Sequence, residues 1–345
     1  MAVTSKSPKI LIIAPAWVGD LVMAQTLFKL LKSQHPNITI DVLAPPWSYP
    51  LLQSMPEVDR TWIADFPHKK LRLWQRYRLA RQLRQQRYTQ AILLPNSLKS
   101  ALVPYWAQIP IRTGWRKEWP RHWLVNDTRT LDKAQLPKMI ERFAALGLPK
   151  DQSLPAVLPW PALSVSTDRV ESTLAKLQLT RPQQPLLVLA PGAEYGPAKR
   201  WPAQHFAAVV KAKTQQGWCV WLLGSTKDVE VNAEIQQACG GAALNLAGET
   251  QLSEAVDLLS LATVVVSNDS GLLHIAAALQ KPVVAIYGPT SPTFAPPLAV
   301  KSEILYLNLS CSPCAQRVCP LGHWRCMLDL TPQEVLKSIA RVYPC

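Results

Sequence analysis

The chain has 345 residues, 48% of them hydrophobic and 17% charged, a balance that excludes a disordered chain and favours a soluble protein of two domains. It contains no apolar run of about 18 residues, which excludes a transmembrane helix. The net charge of +14 is uneven, because residues 1–160 hold 23 Lys and Arg against 10 Asp and Glu, whereas residues 161–345 hold 14 against 13.

The first half of the chain alternates predicted strands and helices. Apolar runs predict strands at residues 9–14, 38–44, 58–64, 90–95 and 111–116. Helices are expected at residues 21–31, 69–86 and from residue 97 onward. This rhythm predicts a doubly wound parallel sheet in a domain of residues 1–160. The apolar run before Pro15 is too short for a secretion signal, so we expect a cytosolic protein.

The turn after the first strand, "APAWVGDLVM", has an unusual composition for its place. A dinucleotide site would carry glycines at G-x-G-x-x-G spacing between strand and helix. Here a single glycine, Gly19, is followed by the carboxylate of Asp20. The pattern therefore excludes a Rossmann dehydrogenase. It leaves two roles for Asp20, a catalytic base or the N-cap of the next helix.

A basic segment lies in the middle of the first half. Twelve basic residues and no acidic one occur between Phe66 and Lys117. Such one-sided charge favours an anionic partner, and nucleic acid, anionic lipid and a phosphorylated substrate are all candidates. The predicted basic helix, Lys69–Arg87, interleaves Leu71, Trp74 and Tyr77, which fits either a membrane-facing surface or a helix that covers the sheet with a hydrated basic face.

The second half repeats the alternation after a Pro- and Ser-rich boundary at residues 148–166. Strands are predicted at residues 186–192, 218–224, 243–248, 263–269 and 282–288, with helices between them. A domain of residues 161–330 is expected, followed by a closing segment, residues 331–345, whose helix has a capping Thr331 and a proline in its first turn.

Ligands of open α/β sheets bind at the carboxyl ends of strands, so the loops after the strands carry the candidate site. In "VVVSNDSGLLHIAAAL", Asp269 or Ser270 is expected to cap the helix, and Gly271 leaves the first-turn N–H groups open to a phosphate. His274 shares a helix face with Ser270. A capped helix with a core histidine is the alternative.

Two more loops of the second half carry candidate ligand groups. In "LAPGAEYGPAKRWPAQHF", the adjacent cations Lys199 and Arg200 follow Gly192 and suit a diphosphate, unless they are ordinary surface residues. In "LLGSTKDVE", either Asp228 or Glu230 could bind ribose hydroxyls or simply favour the start of a helix.

Four of the seven cysteines fall in one segment with the spacing C-x2-C-x4-C-x6-C: Cys311, Cys314, Cys319 and Cys326, with His323 among them. In a cytosolic protein this spacing favours a metal over disulfides. Four thiolates could close a structural zinc site, and an iron–sulfur cluster is the less favoured metal group. Reduced packing cysteines or disulfides are the alternative.

The motifs "PAWVGDLVM", "PNSLKSALVP", "RTGWR", "PGAEYGPAKRWP", "LAGETQL", "NDSGLLHIAAAL" and "YGPTSP" occur in collinear order from Lys9 to about Pro297. Together they resemble the ADP-heptose-dependent lipopolysaccharide heptosyltransferases of glycosyltransferase family nine. Some motifs are shared with types I and III, but "PAWVGD", "PNSLKSALVP" and "PGAEYGPAKRWP" point to type II. The resemblance implies a GT-B fold of two Rossmann-like domains that face each other across a cleft. The N-terminal domain would bind the acceptor, the C-terminal domain would bind ADP-heptose, and the final helix would pack back toward the first domain.

The resemblance also implies roles for individual residues. Asp20 would be the base of an inverting transfer, with Gly19 allowing a tight turn and close approach of the acceptor. Lys199 and Arg200 would stabilise the departing diphosphate without a metal cofactor. The family's donor contacts also carry over onto Asp269, Ser270, Gly271 and His274, with Asp269 binding heptose hydroxyls. The residues themselves add further donor candidates, namely Gly192, Asp228 or Glu230, Gly248 and Thr250, and the acceptor candidates Asn96, Lys99, Arg112 and Arg116.

The implied partners are ADP-heptose, an acceptor such as heptosyl-Kdo2-lipid A, and the anionic cytoplasmic face of the inner membrane. A type I or III enzyme acting on a neighbouring core sugar is the alternative within the family. A basic nucleic-acid-binding α/β protein is the alternative from another class, and the lack of RNA- or DNA-reading motifs counts against it, so no nucleic acid is expected as a partner.

Overall fold

The computed structural model of the chain describes residues 8–66, 71–117 and 119–344. The chain forms two compact units, Met1–Pro161 and Ala162–Cys345. The division falls inside the Pro- and Ser-rich segment 148–166.

The first unit is built on one parallel sheet of six strands in the order β3-β2-β1-β4-β5-β6. Its strands are β1 Lys9–Ile13, β2 Thr39–Ala44, β3 Arg60–Ile63, β4 Gln90–Leu93, β5 Ile111–Trp115 and β6 Asp127–Arg129. Its helices are α1 Val18–Gln34, α2 Tyr49–Leu52, α3 Leu73–Arg84, α4 Leu98–Trp106 and α5 Met139–Gly147.

The second unit repeats this topology with the order β12-β11-β10-β7-β8-β9, again all parallel. Its strands are β7 Leu186–Ala190, β8 Cys219–Leu222, β9 Leu244–Asn245, β10 Val264–Asn268, β11 Val283–Tyr287 and β12 Ser302–Tyr306. Its helices are α6 Thr167–Lys176, α7 Ala203–Gln215, α8 Val229–Ala238, α9 Leu252–Ser260, α10 Gly271–Ala278, α11 Arg325–Leu328 and α12 Pro332–Val342.

The central strands of the second sheet show why the sequence folds in this way. Every residue of β7, β10 and β11 is buried. Strands covered by helices on both faces bury both sets of side chains, so their sequences are continuous apolar runs rather than alternating ones. The predicted doubly wound α/β fold is thus confirmed in both units.

In both sheets the strand order reverses between two adjacent strands, β1 and β4 in the first unit and β7 and β10 in the second. The crevice outside the carboxyl ends of such a pair is the usual ligand site of an open α/β sheet. The loops that follow these four strands are therefore where the candidate residues must lie.

The last helix packs within the second unit. The buried side chains of α12, Val335, Ile339 and Val342, belong to the same hydrophobic core as Val220 of β8, and the helix lies against α7, β11 and β12. The apolar face of this amphipathic helix is covered by the second sheet. That the closing segment, residues 331–345, packs back toward the first domain stays a prediction.

Candidate active site

A buried asparagine joins the two loops at the switch point of the second unit. The Asn268 side chain, at the end of β10, donates from Nδ2 to the Pro191 carbonyl oxygen at 2.6 Å. Its Oδ1 accepts a hydrogen bond from the Trp201 backbone N–H at 3.2 Å. Because Asn268 is fully buried, these bonds are shielded from water and fix the β7–α7 loop against the end of β10.

That arrangement brings Lys199 and Asp269 together, 70 residues apart in sequence. Lys199 Nζ lies 2.6 Å from Asp269 Oδ2 and 3.3 Å from the Asp269 carbonyl oxygen. Only 12% of the Lys199 side chain and 10% of the Asp269 side chain are exposed. The pair is therefore a largely buried, charge-assisted contact rather than a surface ion pair.

Two further side chains hold the Asp269 carboxylate. Thr290 Oγ1, in the loop after β11, donates to Oδ2 at 2.6 Å, and His274 Nε2 lies 3.8 Å from Oδ1. Burial alone would raise the pKa of the Asp269 carboxyl, but the neighbouring His274 imidazole and the Lys199 charge outweigh it, so the pKa lies well below its usual range. Asp269 is thus ionised at neutral pH.

The N-terminus of helix α10 comes directly after Asp269 in the chain. Ser270 is the N-cap residue, with extended backbone and no side-chain cap hydrogen bond, and its Oγ instead lies 3.1 Å from Ser267 Oγ. Asp269 therefore does not cap the helix. With Gly271 as its first residue, α10 presents backbone N–H groups without a side-chain cap, and such a terminus attracts an anion.

The loop that carries Lys199 is hydrogen-bonded to the segment that contains the four clustered cysteines, residues 311–326. The Ala198 backbone N–H donates to the Arg317 carbonyl oxygen at 3.0 Å, and Tyr195 Oη donates to the Ala315 carbonyl oxygen at 2.6 Å. A Cβ on Gly196 would stand 2.5 Å from the Arg317 carbonyl oxygen, so only glycine fits there. Next along the chain, the Arg200 Nε is buried without a hydrogen-bond partner among the described residues.

The Asp228 carboxyl group forms hydrogen bonds within its own loop. Its Oδ2 accepts hydrogen bonds from the Ser225 backbone N–H at 2.9 Å and the Ser225 hydroxyl at 2.8 Å. A Cβ on Gly192 would come within 2.5 Å of the same carboxyl group. Asp228 is thus a buried residue that stabilises the turn before α8, and Gly192 provides the room for it. The exposed Glu230 lies in the first turn of α8.

Gly248 and Thr250 follow β9, two strands away from the switch point. The Gly248 N–H donates to the Gly224 carbonyl oxygen at 3.0 Å. Its positive φ of 79° explains why glycine stands there. These residues share the carboxyl edge of the sheet with the Lys199–Asp269 pair.

In the first unit, Asp20 is the third residue of α1, whose N-cap is Trp17. The N-cap role considered for Asp20 is therefore wrong. Gly19 lies within the first turn of the helix and not in a loop, so the expected tight turn at this glycine is wrong too. The half-buried Asp20 carboxylate stands at the positive end of the α1 dipole, at the switch point of this sheet.

Asn96 and Lys99 follow β4, the other strand of this switch point. Ser97 caps α4 by accepting a hydrogen bond from the Ser100 N–H, and Lys99 lies in the first turn. The Asn96 Oδ1 atom is buried, and no described residue donates a hydrogen bond to it. Asn96 thus offers an acceptor atom close to the end of β4.

Arg112, an expected acceptor contact, bonds to backbone carbonyl groups of the first unit. It lies at the amino end of β5, opposite to the ligand edge, where Nε donates to the Leu124 carbonyl oxygen at 2.6 Å and Nη1 to the Ile109 carbonyl oxygen at 2.5 Å. Burial lowers the pKa of its guanidinium. Arg112 therefore fixes the turn before β5.

Arg116, by contrast, follows the carboxyl end of β5 and lines a cavity of about 180 Å³. The lining side chains are Arg116, Lys117, Trp119, Arg121, His122 and Thr128. Arg121 is fully buried and donates to the carbonyl oxygens of Trp115 and Pro95. It thereby ties the cavity to the loop that carries Asn96.

The basic helix α3 begins at Leu73, and the predicted start at Lys69 and Lys70 lies outside the described residues. Ala80 and Leu83 are buried in the core of the first unit. The opposite face exposes Tyr77 and Trp74, the latter with 73% of its surface. This face also carries a row of exposed arginines, Arg78, Arg81 and Arg84. Among the helices described, none combines the length and apolar character needed to cross a membrane.

The four clustered cysteines form no disulfide among the described residues, and they lie around one cavity with His323. Within residues 8–66, 71–117 and 119–344, no three His, Cys, Asp or Glu side chains are positioned as they stand to hold a metal ion.

Sequence reasoning missed Thr290 and Asn268. Both lie in the quoted motifs "YGPTSP" and "NDSGLLHIAAAL", but a hydroxyl or amide in a loop carries no signal of its partner. Only the fold shows that Thr290 orients the Asp269 carboxylate and that Asn268 fixes the loop that carries Lys199.

Comparison with known proteins gives a consistent result. Residues 76–325 match the model of "Glycosyltransferase family 9 (heptosyltransferase)". The chain is 44% identical to lipopolysaccharide heptosyltransferase 2 of Salmonella typhimurium, covering 96% of this chain and 97% of that protein. It is 43% identical to lipooligosaccharide heptosyltransferase 2 of Haemophilus influenzae, covering 96% and 98%. Among solved structures, the ADP-heptose lps heptosyltransferase II of E. coli superposes with a TM-score of 0.86 at 43% identity, covering 97% and 98%.

Proposed function

The chain belongs to glycosyltransferase family 9 and is a heptosyltransferase of lipopolysaccharide core synthesis, and we propose that it moves L-glycero-D-manno-heptose from ADP-heptose to the heptose of heptosyl-Kdo2-lipid A. The observation that carries this proposal is the buried Lys199–Asp269 pair beside the N-terminus of α10, at a sheet switch point. Its two sheets have the GT-B architecture.

The donor diphosphate binds at this point of the second unit. An ammonium group has three N–H donors, and two described hydrogen bonds from Lys199 Nζ go to Asp269. The third is left for a phosphate oxygen. Asp269, itself hydrogen-bonded by Thr290, holds the ammonium in place before the donor binds, so the ammonium is preorganised for the phosphate.

Negative charge builds up on the diphosphate as the bond from heptose C1 to ADP breaks. Lys199, Arg200 and the first N–H groups of α10 stabilise that charge, and these fixed groups make a metal cofactor unnecessary for the transfer. Of the two ribose candidates, Glu230 is the one with an exposed carboxylate, because Asp228 is engaged in the turn before α8.

Asp20 of the first unit is the base. The acceptor hydroxyl attacks C1 as the carboxylate takes its proton, and attack opposite to the leaving group inverts the configuration at C1. The position in the first turn of α1 supports this role, since the helix dipole favours the ionised form that a base requires. The buried Asn96 Oδ1 accepts a hydrogen bond from a sugar hydroxyl.

The acceptor carries phosphate and Kdo carboxylate groups, and the cavity at the end of β5 suits one of them. Arg116, Lys117 and the buried Arg121 line it, and guanidinium groups form paired hydrogen bonds with such anions. Lys99, in the first turn of α4, adds a further cation on the same edge of the sheet.

The outward face of α3 docks on the anionic cytoplasmic surface of the inner membrane. Trp74 and Tyr77 supply amphipathic rings for the headgroup region, and the arginines beside them are attracted to anionic lipids. The enzyme would then be a peripheral protein of the cytoplasm, brought close to its lipid-linked acceptor.

The test is a transfer assay with ADP-heptose and two acceptors, Kdo2-lipid A with and without its first heptose, read by mass spectrometry. We expect one added heptose on the heptosylated acceptor only. Transfer to the unheptosylated acceptor would identify a type I enzyme instead. Salt-sensitive oligonucleotide binding without any transfer would overturn the proposal.

The base is tested with Asp20→Asn, which keeps the shape but takes up no proton. We expect turnover to fall roughly 10²- to 10⁴-fold. The matched control is Asp168→Asn, because Asp168 also lies in the first turn of a helix, α6, and is exposed. A folded Asp20→Asn enzyme with turnover close to that of the control would refute the assignment.

A further inference from the structure

Arg317 lies in the irregular stretch between β12 and α11, residues 307–324, and is fixed to the loop that carries Lys199. Its carbonyl oxygen accepts a hydrogen bond from the Ala198 backbone N–H at 3.0 Å. A Cβ on Gly196 would stand 2.9 Å from the Arg317 Cβ, so glycine is what lets the two segments pack this closely. The base of the Arg317 side chain is thereby held next to the candidate diphosphate site.

The ring of Tyr195 brings two cations together. Lys199 Nζ lies 4.9 Å from the ring centroid and Arg317 Cζ lies 5.4 Å from it, and both distances are within the range of a cation–π contact. The ring is itself fixed, because the Tyr195 hydroxyl donates to the Ala315 carbonyl oxygen at 2.6 Å. The Arg317 guanidinium thus shares one aromatic ring with the ammonium assigned to the diphosphate.

The charges of these two cations are balanced differently. Lys199 is paired with the largely buried Asp269 carboxylate. Glu194, the carboxylate in the loop that carries Lys199, pairs with Lys227. Among the described residues, no carboxylate forms an ion pair with Arg317, and its guanidinium donates no hydrogen bond to any of them. The exposed Arg317 charge is therefore available to an anion that binds at this site.

We propose that Arg317 is a further binding residue for the donor diphosphate, beside Lys199. A guanidinium has five N–H donors and forms paired hydrogen bonds with phosphate oxygens. In the transfer, the acceptor oxygen bonds to heptose C1 and gives its proton to Asp20, while the electron pair of the broken C1–O bond stays on the diphosphate. Arg317 stabilises that added charge. This inference rests on the proposed function, because it takes the diphosphate to lie at Lys199.

The experiment measures the binding of ADP and of adenosine to the full-length chain by calorimetry, without an acceptor. Arg317→Ala keeps the carbonyl oxygen that accepts from Ala198, so the backbone contact between the segments remains. We expect ADP to bind about tenfold more weakly to this variant, as for the loss of one charged hydrogen bond, and adenosine to bind as it does to wild type. Arg317→Lys should regain part of the lost affinity, because it keeps the charge without the planar fork.

The matched control is Arg325→Ala, because Arg325 is exposed and already paired with Asp329; it should leave ADP binding unchanged. In the transfer assay, Arg317→Ala should raise KM for ADP-heptose and leave KM for the acceptor as it is.

Equal ADP affinity in Arg317→Ala and wild type would overturn the inference. An equal loss for ADP and adenosine would overturn it too, since that is the result of a side chain that only supports the loop. If wild type transfers heptose and Arg317→Ala binds ADP equally well, the inference falls and the proposed function stands. If wild type binds no ADP at all, the proposed function falls and the inference falls with it.

Discussion

Removing the ammonium of Lys199 is the sharpest test of the candidate site. In Lys199→Ala the Asp269 carboxylate stays buried, with Thr290 as its remaining hydrogen-bond donor and His274 close by. A buried charge that loses its partner is costly because water cannot replace the partner.

The size of the effect follows from burial. Both side chains of the pair are about nine-tenths buried, so solvent screening takes little away, and breaking one partner of such a pair costs about 3–5 kcal/mol. For a unit of this size each kcal/mol shifts Tm by about 2–4 °C, which gives a loss of about 6–20 °C. The hydrogen bond from Thr290 places the expected value toward the lower end.

The penalty of Lys199→Ala in the free energy of unfolding should also depend on pH, in a direction that follows from the pKa of Asp269. The pKa of Asp269 is depressed in the folded wild-type chain, so its contribution to stability is present above the pKa of the unfolded chain and is lost as pH falls through the folded pKa. In Lys199→Ala the Asp269 carboxyl group loses the Lys199 charge that helps to lower its pKa, so it is protonated more easily as pH falls. The penalty of the substitution should therefore be larger at pH 8 than at pH 5.

The assay is urea unfolding of wild type, Lys199→Ala, Asp269→Asn and the double variant. The double variant should regain much of the stability lost in Lys199→Ala, because no unpaired charge remains, while transfer stays low. Lys227→Ala is the control, since the Lys227–Glu194 pair is exposed and should contribute about 0–1 kcal/mol. A Lys199→Ala penalty as small as that of the control, or one independent of pH, would refute the reasoning.

Three further predictions concern neighbouring features. Thr290→Val removes the hydroxyl bonded to Asp269 and should cost about 1.5–3 kcal/mol in urea unfolding together with a lower kcat, whereas Thr290→Ser should retain both. Gly192→Ala places a Cβ 2.5 Å from the Asp228 carboxyl, and we expect a loss of about 1–3 kcal/mol by thermal unfolding; an unchanged Tm would show that the loop yields freely. Thr331→Ala removes the N-cap of α12 and should cost about 1 kcal/mol, with Thr331→Ser close to wild type.

Much of the fold could be predicted from the sequence because its signals are local. The buried strands β7 and β11 are continuous apolar runs, and β10 begins with three valines. Helix α10 follows β10 within a few residues. Elements without such runs were missed. The edge strand β12 is only partly buried, and the single-turn helices α2 and α11 are too short to show a period.

The location of the candidate site could also be predicted, because parallel strands bring the loops at their carboxyl ends to one edge. Asp20, Asn96, Lys199 and Asp269 all follow a strand that borders a switch point. Arg112, by contrast, lies at the opposite, amino end of its strand. The pattern "IRTGWR" gave no sign that its first arginine would bond to carbonyl groups there.

Which distant partner a polar side chain bonds to was decided by the tertiary structure alone. The sequence determines that Asp228 precedes a helix and that α12 has one apolar face. It does not determine that the second sheet covers α12, or that Lys199 pairs with a carboxylate 70 residues away. Apolar periodicity reflects which face of an element is buried, whereas a hydrogen bond or ion pair depends on atoms that only the packing of distant segments brings within 3 Å of each other.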